Sequence, residues 1–159
     1  MSGENIFTHL NDEGQAHMVD VSDREISTRS ATASGKVLLS PTVVAMLRDG
    51  NVPKGDVLST ARLAGIMGAK RTPDLIPLAH PIALHSVSVE LQIVDDGVTI
   101  TSAVRTADRT GVEMEALTSI SIAALTIIDM VKSLDPGATI ANVRVDSKDG
   151  GRNGAWKRT

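Results

Sequence analysis

Cysteine is absent from this 159-residue sequence, and aromatic residues nearly so: there is one phenylalanine, one tryptophan and no tyrosine. Without cysteine, the protein has no disulfides, thiolate metal ligands or cysteine nucleophiles. The shortage of aromatic residues means that the core is built from Val, Ile, Leu, Ala and Met. A sheet that binds nucleic acid by base stacking needs aromatic side chains on its strands. We predict that neither Phe7 nor Trp156 lies in a strand, which disfavours this class of protein.

The sequence also lacks the patterns of secretion and membrane insertion. The opening residues are polar and acidic, without the basic start and apolar run of a signal peptide. The most apolar stretch, residues 120–131, is interrupted by Ser121, Thr126 and Asp129 and is shorter than the roughly 18 to 20 residues of a membrane span. We therefore expect a cytoplasmic protein that does not contact a membrane.

The composition is that of one ordinary globular domain, with 42% hydrophobic and 22% charged residues. We assign residues 1–159 to a single domain with flexible arms at about residues 1–25 and 148–159. The net charge of −3 argues against nucleic acid as a partner of the whole chain. Basic residues in the tail from Arg144 onward could still bind a polyanionic small molecule.

Hydrophobic spacing and turn residues predict the order of the elements. They predict strands at residues 31–39, 87–93, 98–104 and 140–145 and helices at 41–49, 56–70 and 110–134. Ser40 is the predicted cap of the first helix, and Thr110 with Glu113 forms a predicted capping box for the last one. Three prolines within residues 73–81 predict a loop there.

This order predicts an α+β fold, a ferredoxin-like β-α-β-β-α-β sandwich with an extra helix and an antiparallel sheet. The helices would cover one face of the sheet. Because the strands carry apolar residues and such sheets often leave one face free, we expect an oligomer.

Two polar residues in loops are candidates for chemistry. Lys54 precedes a helix, where backbone amides favour anions, but a solvated lysine in a turn is the more ordinary explanation because surface lysines are common. His80 is followed by Pro81 and could act as a general acid or base, or simply be hydrogen-bonded to backbone groups. His85 follows five residues later, but without a third convincing ligand no metal site is predicted.

Three acids on the last helix are further candidates. Glu113 and Glu115 are about 200° apart around the helix; Glu113 is explained as the capping acid, whereas Glu115 leans towards the apolar side. A buried carboxylate there would need a cation or a catalytic task. Asp129 interrupts an apolar run and shares a face with Lys132, which indicates either a surface ion pair or a site.

Several segments together resemble the cyclic pyranopterin monophosphate synthase family, also called molybdenum cofactor biosynthesis protein C. In chain order they are His17-Met18-Val19-Asp20-Val21-Ser22, Pro53-Lys54-Gly55-Asp56, Ala69-Lys70-Arg71-Thr72, Leu75-Ile76-Pro77-Leu78-Ala79-His80-Pro81, Thr110-Gly111-Val112-Glu113-Met114-Glu115-Ala116-Leu117 and Asp129-Met130-Val131-Lys132. The resemblance covers roughly residues 8 to 156. Six motifs in the right order make it specific, although any one alone would be weak.

The resemblance implies an enzyme of molybdenum cofactor biosynthesis. It would convert 3′,8-cyclo-7,8-dihydro-GTP, a cyclised GTP, to cyclic pyranopterin monophosphate with release of pyrophosphate, which makes it a phosphorus-oxygen lyase. It would work as a homohexamer, a trimer of dimers with sites at subunit interfaces. The resemblance implies no required cofactor and no resident metal, and it leaves open a divalent ion bound with the triphosphate.

The resemblance also assigns residues to the site. The catalytic set that it implies comprises Asp129, Lys132, Lys54, His80, Glu113 and Glu115. The substrate-binding set comprises Leu78, Ala79, His80, Glu113 and Met114, together with Arg29 and Lys70 as phosphate or pocket contacts. Ring opening and rearrangement move several protons, which requires positioned acids and bases. We hypothesise that Asp129 and Lys132 form a proton-transfer pair and that Lys54 offsets triphosphate charge.

Two departures from the family pattern and one alternative remain. Many members have cysteine at the position of Ala79, so no step here depends on a thiol. Arg152 stands where many members have lysine, which leaves its role open. The alternative to an enzyme is a catalytically silent relative that binds a nucleotide or a partner; retention of the implied catalytic residues argues against it.

Overall fold

The computed structural model describes residues 8–159. Residues 1–7, which include Phe7 and the beginning of the predicted N-terminal arm, lie outside the described residues. The elements are β1 (Ser27–Leu38), α1 (Pro41–Asp49), α2 (Val57–Lys70), α3 (Thr72–Leu75), β2 (Ser86–Val94), β3 (Gly97–Asp108), α4 (Glu113–Val131), β4 (Thr139–Asp149) and β5 (Trp156–Lys157).

The sheet has the strand order β2-β3-β1-β4-β5, and every neighbouring pair is antiparallel. Without β5 and read from the other edge, this order is β4-β1-β3-β2, which is the order of a ferredoxin-like sandwich. The predicted α+β class is therefore confirmed. The predicted hairpin is also confirmed, since β2 and β3 are joined across Asp95 and Asp96. The strand β5 is an addition at the β4 edge.

The apolar side of the sheet is the side that the helices cover. Along β1, Ala31, Ala33 and Val37 are buried, while the intervening Thr32 and Ser34 are only partly buried. The uncovered face of β1 is therefore polar, since its side chains alternate from face to face. The sequence suggested an oligomer because apolar strand residues would lie on a free face of the sheet. The apolar residues of β1 lie under the helices instead, so they do not support that argument.

Helix α4 lies at the centre of the fold, packed on the sheet and on α2. Its length and apolar composition would suffice to cross a membrane, but 56% of its most apolar window is buried inside the protein, as in a core helix. Two glycines of α2 allow its close approach to α4: a Cβ on Gly65 would lie 3.0 Å from the backbone oxygen of Ser119, and one on Gly68 would lie 2.8 Å from Ile122.

The structure confirms the cap of α1 and contradicts the cap of α4. The Ser40 hydroxyl accepts a bond from Val43 N–H at 3.5 Å, and Gly50 ends α1 at a φ of 68°. Helix α4, however, begins at Glu113 with Val112 as its N-cap, and no side chain caps it. The predicted capping box of Thr110 and Glu113 is therefore wrong, because the helix starts too late for Thr110 to reach it.

Other boundaries also differ from the prediction. Residues 72–75 form the one-turn helix α3 inside the start of the predicted loop, because a proline fits the first turn of a helix. Strand β1 starts at Ser27, and β4 continues to Asp149. Trp156 lies in β5, paired with Lys148, so the prediction that it lies outside the strands is wrong. One exposed aromatic ring at a sheet edge is still not a stacking platform.

Candidate active site

Two adjoining cavities of about 250 and 230 Å³ open at the N-terminal end of α4. We call them together the cleft. The first is lined by Thr8, His9, Val19, Arg24, Leu78, Ala79, His80, Thr110, Gly111, Glu113, Met114 and Glu115. The second is lined by Thr8, Arg24, Arg29, Ser30, Gly111, Glu113, Lys148, Asp149, Gly150, Arg152 and Asn153. The cleft is thus built by the first turn of α4, two loops and both arms, and it has the size of a small-molecule site.

Glu115 lies in the wall of the first cavity and is only 3% exposed. Its burial was the prediction from its position on the helix, and the structure confirms it. Burial disfavours the charged carboxylate and raises its pKa from 4.5 to about 7, and the nearby charge of Glu113 adds to the effect. Glu115 can therefore exchange a proton near neutral pH.

Glu113 stands between the two cavities. Its Oε1 lies 3.5 Å from the Lys148 Nζ, and both side chains are 31% exposed. Its carboxylate folds back over Gly111, which has no Cβ to obstruct it. Glu113 is therefore held by an ion pair at the cleft rather than by the helix terminus.

The second cavity is rich in cations. Arg24, Arg29, Lys148 and Arg152 all line it. Arg29 lies on the helix-covered face of β1, opposite the buried Thr106 of β3, and its Nε–H donates to the Asp108 carbonyl at 3.0 Å. Four basic side chains around one cavity favour a multiply charged anion.

Two side chains bond the N-terminal arm: His80, which lines the cleft, and Arg109, which directly precedes the cleft residue Thr110 in the chain. The His80 Nε2 lies 2.6 Å from the Val19 carbonyl; because a carbonyl only accepts, this nitrogen carries the proton. The Nε–H of Arg109 donates to the Arg24 carbonyl at 3.0 Å. His80 is therefore hydrogen-bonded to a backbone group, which was one of the two explanations that the sequence left open, and it also lines the cleft.

A second charged cluster lies at the opposite end of α4. The Lys132 Nζ donates to Asp129 Oδ1 at 2.7 Å, and the Lys54 Nζ donates to the Asp129 carbonyl at 2.7 Å while lying 3.7 Å from its Oδ2. The hydrogen bond and charge of Lys132, followed by the charge of Lys54, lower the pKa of Asp129. The Asp129 side chain is 61% exposed, so it is a paired surface acid and not a buried one.

Within one chain, the cleft and this second cluster, which we call the distal cluster, lie far apart. Glu113 and Asp129 are sixteen positions apart on the same helix, which amounts to about 24 Å at 1.5 Å per residue. This separation is far beyond hydrogen-bond reach. Of the residues that the resemblance implied, the cleft contains Arg29, Leu78, Ala79, His80, Glu113, Met114 and Glu115, and the distal cluster contains Lys54, Asp129 and Lys132.

Lys70 belongs to neither group: it ends α2, is exposed, and does not line the cleft. Sequence reasoning missed Arg24 and Lys148 and left Arg152 open, although all three line the second cavity. The basic composition of the tail was the available signal for Lys148 and Arg152, whereas nothing singled out Arg24 in an acidic arm.

No cluster of three or more metal-ligating side chains occurs within residues 8–159. His85, the other histidine near the loop, accepts a bond from Ala107 N–H through Nδ1 at 3.4 Å. The absence of a required metal stays a prediction.

The fold and the cleft define an α+β protein with a small-molecule site in which carboxylates and cations meet. A model described as the MoaC family matches residues 18–151. The cyclic pyranopterin monophosphate synthase of Streptomyces griseus is 60% identical over 159 residues, which cover 100% of this chain and 90% of that protein. The synthase of Dinoroseobacter shibae is 52% identical and covers 99% of both chains. Mycobacterium tuberculosis has a protein named cyclic pyranopterin monophosphate synthase 2 that is 52% identical over 99% of this chain and 93% of its own length. This chain belongs to the MoaC family.

Proposed function

We propose that this chain is a cyclic pyranopterin monophosphate synthase of molybdenum cofactor biosynthesis, a lyase that converts 3′,8-cyclo-7,8-dihydro-GTP to the cyclic pyranopterin monophosphate and releases pyrophosphate. Family membership over nearly the whole chain supports the reaction. The observation that carries it structurally is the uneven charge of the cleft: the first cavity has Glu113 and Glu115 with one cation, Arg24. The second has four cations (Arg24, Arg29, Lys148 and Arg152) beside the carboxylates of Glu113 and Asp149. A substrate with a nitrogen-rich ring at one end and a triphosphate at the other matches this uneven charge.

The charges suggest how the substrate lies. A purine-derived ring carries N–H groups that a carboxylate accepts, so it fits the first cavity beside Glu113 and Glu115. The triphosphate fits the second cavity, where Arg29 and Lys148 offset its charge. The first turn of α4 separates the two halves, and its uncapped N–H groups favour negative charge nearby.

The proton transfers of ring opening need groups that gain and lose protons near neutral pH. Glu115, with its pKa raised to about 7 by burial, suits the role of an acid that becomes a base. Asp129, held ionised by Lys132 and Lys54, suits the role of a base or an electrostatic partner of a lysine. The assignment of Asp129 and Lys132 as a coupled pair would be wrong if the pH–rate profile did not change in Asp129→Asn.

A second copy of the chain is needed to combine these groups. Because the distal cluster is about 24 Å from the cleft within one chain, we propose that Lys54, Asp129 and Lys132 of one subunit complete the cleft of another. A homohexamer, arranged as a trimer of dimers with sites at the interfaces, provides this arrangement. In this proposal the enzyme is cytoplasmic and needs no organic cofactor, and any divalent ion enters with the triphosphate.

The first experiment measures pyrophosphate release from 3′,8-cyclo-7,8-dihydro-GTP by the purified protein. We expect release by the parent and its loss in Lys54→Ala and Asp129→Asn. An exposed matched pair, Arg48 and Asp95, whose atoms lie 2.8 Å apart, provides the controls Arg48→Ala and Asp95→Asn, which should stay active. Tight substrate binding without release by the parent would indicate a silent relative and would end the enzyme assignment.

The shared site can be tested separately by mixing inactive variants. Glu113→Gln damages the cleft and Asp129→Asn damages the distal cluster. If each site takes one group from each of two subunits, subunits exchanged between the two variants form some sites with both groups intact, and part of the activity returns. Exchange confirmed by mass spectrometry without any return of activity would mean that each site is built by one chain.

A further inference from the structure

Two consecutive glycines in the C-terminal loop lie beside Arg29. Gly150 and Gly151 have φ angles of 90° and 79°, in the left-handed region that other residues rarely adopt. The two glycines contact different parts of β1. A Cβ on Gly150 would collide with the Thr28 carbonyl, whereas a Cβ on Gly151 would collide with the Arg29 guanidinium.

The collision at Gly151 involves only the far end of a side chain. The added Cβ would lie 2.9 Å from Arg29 Cζ and 3.3 Å from Nη2, and closer still to Nη1. Carbon atoms in contact need about 3.5 to 4.0 Å, so the guanidinium would have to move. Arginine can rotate, so the backbone of the loop and strand can stay in place while the guanidinium leaves its position.

The present position of that guanidinium is well defined. Its Nε–H donates to the Asp108 carbonyl at 3.0 Å, and its Nη groups lie against Gly151. Arg29 lines the cation-rich cavity, as do Gly150 and Arg152 on either side of Gly151, while Gly151 itself borders the neighbouring cavity that Arg29 also lines. The bond to Asp108 directs the guanidinium, and the bare Cα of Gly151 leaves the room that it occupies. No other side chain type at position 151 would leave that room.

We propose that Gly151 is a positioning residue for Arg29: by lacking a Cβ, it seats the guanidinium where the cavity receives an anionic group of phosphate type. This inference rests on the proposed function, since it assigns part of the same cleft. The inference goes beyond the proposed function because it makes the placement of Arg29 depend on Gly151, a residue that need not touch the substrate.

Gly154 offers a matched control in the same loop. Its φ of 64° is also left-handed, but a Cβ there would meet nothing within 4 Å. Alanine at 154 therefore introduces the same kind of backbone strain as alanine at 151, without contact with Arg29. Gly150→Ala serves as the opposite reference, because its collision with backbone should lower the thermal stability.

The experiment measures the Kd of inorganic pyrophosphate by calorimetry for the parent, Gly151→Ala, Gly154→Ala, Arg29→Ala and the double variant Gly151→Ala/Arg29→Ala. We expect Gly151→Ala and Arg29→Ala each to weaken binding about ten-fold or more, as for a lost charge-assisted hydrogen bond. Gly154→Ala should stay within about three-fold of the parent. The double variant should bind no more weakly than Arg29→Ala alone, because Gly151 acts through Arg29. Thermal unfolding should shift by a similar amount in Gly151→Ala and Gly154→Ala.

Two results would overturn the inference. One is equal pyrophosphate affinity in Gly151→Ala and Gly154→Ala; the other is an additive loss in the double variant, which would mean that Gly151 acts independently of Arg29. The binding readout separates this inference from the proposed reaction. If the parent binds pyrophosphate but releases none from the cyclised GTP, the reaction is wrong while the positioning role stands or falls by the binding data.

Discussion

Replacement of Glu115 by glutamine should change how the stability of the protein depends on pH. Glu115 is 3% exposed, and burial raises its pKa from 4.5 to about 7. Between these two values the folded chain holds a proton that the unfolded chain has lost. The contribution of Glu115 to stability is therefore fully present below pH 4.5, falls as the pH rises, and is lost above pH 7.

The size of the effect follows from the shift. At 1.36 kcal/mol per pH unit, a carboxyl whose pKa rises from 4.5 to about 7 lowers the free energy of unfolding by about 3 kcal/mol across that range. Glutamine has a similar shape and stays neutral. The free energy of unfolding of Glu115→Gln minus that of the parent should therefore grow by about 3 kcal/mol between pH 4.5 and pH 8.5.

Urea unfolding followed by circular dichroism provides the measurement, at one fixed protomer concentration because assembly changes apparent stability. Comparing the variant with the parent at each pH cancels the titration of the other groups. Glu13→Gln, at an exposed position in the arm, is the control and should show a difference that does not vary with pH. A constant difference for Glu115→Gln as well would refute the argument that Glu115 is buried and protonated near neutral pH.

Two further predictions concern the packing and hydrogen bonding around α4. Gly68→Ala should reduce the free energy of unfolding by about 1 to 2 kcal/mol in urea titrations, because the new methyl lies 2.8 Å from Ile122 and overpacking exceeds the gain in helix propensity. The control Gly137→Ala, whose methyl meets only Asp135 Oδ1 at 3.4 Å, should change it by less than about 0.5 kcal/mol. Equal effects of the two substitutions would contradict the close packing of α2 on α4. Asp135→Ala should lower the free energy of unfolding by about 1 to 3 kcal/mol in the same assay, because Asp135 Oδ2 accepts the Ser40 N–H at 2.7 Å and Oδ1 accepts the Gly137 N–H at 3.1 Å. Asp135→Asn keeps an acceptor and should lower it by less. A larger loss in Asp135→Asn than in Asp135→Ala would rule out this explanation.

Local patterns predicted the interiors of the elements better than their ends. Helical spacing located α1 and α2, the Ser40 cap marked the start of α1, and strand alternation located the hairpin of β2 and β3. The first residues of β1, 27–30, are mostly polar and gave no apolar alternation, yet pairing with β3 makes them strand. Trp156 likewise becomes strand only because it reaches Lys148 at the edge of the sheet. Such pairings are long-range and leave no local signal.

The family motifs predicted most of the candidate site but not its layout. They indicated the cleft residues Leu78, His80 and Glu115 and the distal residues Lys54 and Asp129 as one set. The structure divides this set between the two ends of α4. Motif matching does not measure distance, whereas the observed length of α4 places Glu113 and Asp129 of one chain about 24 Å apart.

The sequence by itself determined what depends on neighbours along the chain. The spacing of Asp129 and Lys132 placed them on one helical face, and the rotation of Glu115 towards the apolar side placed its carboxyl in the protein interior. Tertiary structure decided what depends on register. An irregularity in β4 near Asp146 shifts its pairing with β1 between Thr32 and Ala33, so that Val145 pairs with Ala33 while Lys148 pairs with Ala31. One extra residue in a strand exchanges its two faces. Relative to Val145, this shift places Lys148 on the helix-covered face, where its Nζ lies 3.5 Å from Glu113 Oε1 at the cleft.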